Sequence, residues 1–92
     1  MEFHVLDECM ALDGRGIVLI SMDEACTLLY SGVEITDARG NTHTVAEISP
    51  QESAFTLYLP GGEAAYFERL LRDVRVDATW FCFAPKEDSL CP

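Results

Sequence analysis

The sequence predicts an all-β domain with one short helix, built as a small six- to seven-stranded barrel that is closed or partly open. Three observations carry this. Phe55, Leu57 and Leu59 alternate with Thr56 and Tyr58, the period-two pattern of a strand with one buried face. Short apolar or β-branched runs recur between Gly, Asp, Asn and Pro turn signals, at the spacing of a small barrel or sandwich. Only residues 63–74 break the rhythm, with Phe67, Leu70, Leu71 and Val74 at i, i+3, i+4 and i+7.

Each element follows from its residues. Residues 2–10 predict a first strand with Phe3 and Val5 on one face. Gly14 and Gly16 flank Arg15 after Asp13 and supply the positive φ that a hairpin needs. Ile17, Val18, Leu19 and Ile20 are apolar on both faces and predict a strand covered on both sides. Residues 23–30 admit two readings: a short helical turn capped by Asp23, or an extended Thr27-Leu28-Leu29-Tyr30. Val33, Glu34 and Ile35 alternate as a strand does, and residues 37–41 form a hairpin loop. Residues 42–48 give the next strand, and Pro50 removes a backbone donor and interrupts the ladder. In the helix, Glu68 and Arg72 fall at i and i+4 on the solvent side, where they can pair. Residues 76–83 return to strand, with Trp80 to Phe83 apolar on both faces.

The length of 92 residues fits one domain, placed at 1–84 with a short C-terminal tail at 85–92. Sixteen acids against six bases leave a formal charge of −10. That balance argues against nucleic acid, whose phosphates are neutralised by Lys and Arg, and against anionic lipid. It favours a soluble protein with a protein partner, a second copy of itself being one such partner. No apolar run approaches the length of a membrane span, and residues 1–10 lack the basic cluster of a secretory signal. Cys9, Cys26, Cys82 and Cys91 include no Cys-x-x-Cys pair. Reduced thiols in a cytoplasmic protein, with Cys26 and Cys82 inside apolar stretches, account for them.

No catalytic set emerges, and the chain is expected not to be an enzyme. His4 and His43 are the only side chains whose ordinary pKa suits proton transfer near neutral pH. His4 and Cys9 are an odd number of residues apart, so a regular strand points them to opposite faces. The acid pairs Asp7-Glu8, Asp23-Glu24 and Glu87-Asp88 are neighbours in sequence, which diverge on a strand and are solvated in turns. No calcium loop is present, and no metal or other cofactor is expected. Arg69, Arg72 and Arg75 gather near the helix end, where they complement its negative pole.

The early hairpin, Leu12-Asp13-Gly14-Arg15-Gly16-Ile17-Val18-Leu19, resembles domain 2 of the translational GTPases, such as elongation factor Tu. Gly32-Val33-Glu34-Ile35 and Thr44-Val45-Ala46-Glu47-Ile48 resemble later strands of that domain, and the likeness spans most of residues 3–83. It implies a six-stranded barrel that contacts neighbouring domains and RNA, and hence a translation-related module acting with a separate GTPase or ribosomal partner. The chain departs from the family at Ser21, where a glycine is usual, and in its longer helix at 63–70. It contains no Gly-x-x-x-x-Gly-Lys phosphate loop. The candidate partner-binding residues are Asp13 and Arg15 at the hairpin tip, and Trp80 and Phe81 on the last strand. Arg15 is an isolated base able to make bidentate contacts. Trp80 and Phe81 offer a surface for edge pairing or patch burial.

Overall fold

The computed structural model describes residues 1–12 and 14–85. Eight strands are present: β1 (Glu2–His4), β2 (Cys9–Leu12), β3 (Gly16–Ser21), β4 (Val33–Thr36), β5 (Thr42–Val45), β6 (Glu47–Pro50), β7 (Phe55–Leu59) and β8 (Trp80–Phe83). A 3₁₀ helix, Glu24–Leu28, follows β3, and α1, Ala64–Leu71, precedes β8. The strands form two four-stranded antiparallel sheets, ordered β1-β8-β4-β5 and β2-β3-β7-β6. The fold is therefore mostly β with one short α-helix.

Two corners join the sheets. After β1 the Val5 amide donates to Thr79 O at 2.9 Å and the Leu6 amide donates to Ile20 O at 2.8 Å, so the chain leaves one sheet for the other. Between β5 and β6 only Ala46 intervenes, and its amide donates to Tyr58 O at 2.9 Å across the corner. The strands expected at 2–10 and 42–48 are thus each a bent pair. Bending lets one chain segment serve the edges of both sheets while its apolar side chains stay inward. The ladders make two sheets, and no closed cylinder is found among the described residues.

One apolar cluster fills the space between the sheets. Phe3, Ile17, Leu19, Ile35, Leu57 and Phe81 are all at most 1% exposed. Phe3 stacks on Phe81 with ring centroids 5.8 Å apart and meets Phe83 edge-on at 5.7 Å. β3 needs close approach at its start. Gly16 has φ of 115°, and a Cβ there would collide with Leu59 O.

The structure corrects several expectations. β3 buries Ile17, Leu19 and Ser21, but Val18 and Ile20, on its alternate face, are only half-buried. β8 starts at Trp80 because Val76 and Asp77 accept turn bonds from Ala78 and Trp80. Its alternation is strict: Phe81 and Phe83 point inward, Trp80 and Cys82 outward. The helix ends at Leu71, since Asp73 accepts from the Arg75 amide at 3.0 Å and starts a turn. Val74 therefore leaves the apolar face, which Phe67, Leu70 and Leu71 occupy, and is 96% exposed. Arg72 becomes the C-cap, and no Glu68–Arg72 ion pair forms among the described residues. Residues 23–30 resolve as a helical turn, with the Asp23 carboxylate accepting from the Ala25 amide at 2.9 Å. No described helix is long and apolar enough to cross a membrane.

Candidate functional site

Two regions combine polar chemistry with accessible space. The first is built on Asp37, at the start of the β4–β5 loop. Loop backbone closes on its carboxylate: Oδ1 accepts from the Arg39 amide at 2.9 Å and the Asn41 amide at 3.0 Å. The other oxygen accepts from the Tyr66 hydroxyl and from His43 Nε2, the latter at 2.8 Å. An ionised carboxylate only accepts, so His43 carries its hydrogen on Nε2. Asn41 Nδ2 donates to the Tyr66 oxygen at 2.7 Å and completes the knot. His43 lies on the inner side of β5, with its ring 4.7 Å from that of Phe67 on α1.

Asp37 is 4% exposed. Burial pushes its pKa upward, but the bonds from Tyr66, His43, Asn41 and Arg39 together hold it below the usual carboxylate range. Burial and the bond to Asp37 raise the Tyr66 phenol, which stays a neutral donor. A cavity of about 180 Å³ adjoins the knot, lined by residues that include Asn41, His43, Glu63, Tyr66 and Phe67. An Asp–His pair is the orienting half of a nucleophilic site. The lining of this cavity offers no Ser, Thr or Cys to complete one. Beside it, Asp73 accepts from Arg39 Nη2 at 2.9 Å and Arg75 Nε at 3.1 Å. The two guanidiniums hold its carboxyl far below the usual range. Arg39 also lies over the Tyr66 ring, 5.7 Å from its centroid.

The second region is the outer face of the β1-β8-β4-β5 sheet. Strand alternation turns Phe3, Phe81, Phe83, Val33 and Ile35 inward and leaves Glu2, His4, Trp80, Cys82 and Glu34 outward. Register aligns Glu2 with Cys82, Cys82 with Thr36, and Thr36 with Thr42 in one row across all four strands. His4 pairs with Trp80, their rings edge-on at 5.1 Å. Two open grooves adjoin at Thr36 and Cys82. One, of about 430 Å³, runs past Glu2, Asp77 and Trp80. The other, of about 790 Å³, runs past Met1, Tyr30, Glu34 and Thr44.

The sequence-derived candidates fare differently. Trp80 is 42% exposed on this face. Phe81, its neighbour, is 1% exposed and stacked on Phe3, so it belongs to the core and is not a contact surface. Arg15 is exposed at the β2–β3 turn, its carbonyl accepting from the Tyr58 hydroxyl at 2.9 Å. Asp13 lies outside the described residues. So do Cys91 and most of the expected tail. His4 is exposed, and Cys9 sits in the other sheet. Cys26 is buried, which raises its thiol pKa; burial and nearby Glu68 do the same for Cys9. Cys82 is exposed, contrary to the expectation for a cysteine in an apolar run, because it takes the outward phase of β8. No cluster of three or more His, Cys, Asp or Glu suited to a metal occurs among the described residues. The residues that sequence reading missed are Asp37, Asn41 and Tyr66. An Asp opening an Asp-x-x-Gly-Asn loop is a local signal for the first; nothing local pointed to Tyr66. No family model, curated protein or solved structure matches this chain.

Proposed function

We propose that this chain is a small, acidic, non-catalytic interaction module of the cytoplasm, and that it binds a protein partner through the outer face of the β1-β8-β4-β5 sheet. One observation carries the reading. Among the described aromatic side chains, Trp80 alone is exposed, and it stands over a groove instead of on bare surface. Tryptophan is large, stiff and amphipathic, and it is enriched at the centres of binding surfaces. The test is affinity capture from the source cells with the wild-type chain and with Trp80→Ala, read by photo-crosslinking from Thr36. A protein cross-linked to wild type and lost from the variant supports the reading. Identical cross-linking to both, or none, defeats it.

Self-association is a second version, and a different face favours it. On the outer side of the β2-β3-β7-β6 sheet, register brings exposed Met10 beside half-buried Val18 and Tyr58. Size exclusion with light scattering decides this version. A strict monomer at high micromolar concentration removes it.

A third version is a translation-related module beside a separate GTPase or the ribosome. Counting each bent pair as one strand gives six strands in two sheets, the number that the resemblance to domain 2 of the translational GTPases implies. Arg15 at the hairpin tip is then the contact residue. Co-sedimentation with ribosomes at low salt that Arg15→Ala abolishes is the expected result, and no enrichment ends it.

A further inference from the structure

The two grooves on the outer face of the β1-β8-β4-β5 sheet bring acidic side chains together with the exposed Trp80. Glu2 and Asp77 border the groove under Trp80, and Glu34 borders the adjoining one beside Tyr30. All three acids are exposed, and their side chains form no ion pair among the described residues. Among the described residues no Lys or Arg lines either groove. The two arginines closest in sequence to the rim, Arg39 and Arg75, are both engaged by Asp73. His4, edge-on to Trp80, is the one further titratable neighbour on β1 of that ring.

An aromatic face flanked by unpaired carboxylates attracts a cation twice over, through the ring quadrupole and through charge. Resting on the interaction-module reading above, we propose that the occupant is a Lys- or Arg-bearing segment of a partner protein. One cationic side chain lies over Trp80 between Glu2 and Asp77, and the segment continues past Thr36 and Cys82 toward Glu34. A second copy of this chain fits poorly, because it brings a further −10 to an already acidic face.

Trp80 is the only tryptophan, so fluorescence reports on this groove directly. The probe is an octapeptide alternating Arg and Lys with Gly and Ser, with a Glu-substituted octapeptide as control. The basic peptide is expected to quench or shift Trp80 emission saturably at low salt, with affinity falling about tenfold between 20 and 200 mM NaCl. General attraction to an acidic protein is separated by two variants of equal charge. Glu2→Gln/Glu34→Gln/Asp77→Asn is expected to weaken binding at least fivefold. Glu47→Gln/Glu52→Gln/Glu68→Gln, altered away from the face, is expected to weaken it less than twofold. Calorimetry with Trp80→Ala should show a similar large loss. Equal weakening by the two triple variants, or no saturable response to 1 mM peptide, overturns the proposal. Trp80-dependent cross-linking of a partner without peptide binding would overturn the cationic occupant alone and leave the module reading standing. Loss of both would remove both.

Discussion

Glu34 and Asp37 lie three residues apart on one hairpin, yet they meet opposite surroundings. Asp37 is buried and accepts from two backbone amides, a phenol and an imidazole. Glu34 faces water beside a groove and has no ion-pair partner among the described residues. The same division separates the polar knot from the outer face of the β1-β8-β4-β5 sheet. In the knot no buried side-chain nitrogen or oxygen among the described residues lacks a partner, and its bonds fix the hairpin to α1. On the face the acids beside Trp80 form no ion pair among the described residues. Polar residues with internal partners mark stability. Polar residues gathered around an exposed aromatic, without such partners, are what the proposed recognition role needs.

The comparison can be broken by mutation. The largest effect is expected at the boundary between Phe81 and Trp80, adjacent residues on opposite sides of β8. Phe81→Ala should lower the stability to urea by about 3–5 kcal/mol, because it empties a filled core site. Trp80→Ala should change it by less than about 1 kcal/mol while removing binding to the face. Similar losses for both would mean that the face is structural.

Asp37→Ala comes next, at about 2 kcal/mol, since it takes the acceptor from the half-buried Tyr66 hydroxyl, His43 Nε2 and two amides. Urea denaturation measures it, and a loss under about 1 kcal/mol would show the knot to be dispensable. Tyr66→Phe removes one bond to a charged acceptor and should lose about 1–2 kcal/mol by the same measurement.

The pH dependence sharpens the same contrast. The folded pKa of Asp37 is lowered, so its contribution is fully present above the unfolded value of about 3.9 and is lost as pH falls through the folded value. The stability difference between wild type and Asp37→Asn should shrink as pH falls below about 4. A difference that grows on acidification would contradict the sign. The smallest effect is expected for Arg39→Ala. The Arg39 side chain is open to solvent and Arg75 still pairs with Asp73, so the shift in urea midpoint should be small and should vanish in 1 M NaCl.

Much of the secondary structure was legible from local pattern. The alternation at Phe55, Leu57 and Leu59, the Val33–Ile35 strand, the hairpin loop at 37–41 and the helix around Phe67 and Leu70 all stand where side-chain period and turn residues put them. The candidate site was legible only in part. Trp80 and Phe81 were both read as contact surface, and Trp80 is exposed while Phe81 beside it is buried. Which of two apolar neighbours faces out depends on the phase of the strand against the core. The pairing of β8 with β1 and β4 sets that phase, and nothing in Trp-Phe-Cys-Phe does.

By itself, then, the sequence determined the class of fold, the negative charge and the positions of most turns, because these follow from residue type and spacing over a few positions. Only the tertiary structure decided that two strands bend at corners between sheets, that Val74 escapes the helix face and that Asp37 meets Tyr66 from 29 residues away. Each of these depends on which distant surface a segment is pressed against. Burial and hydrogen bonding between remote residues are properties of the packed chain, and no local window contains both partners.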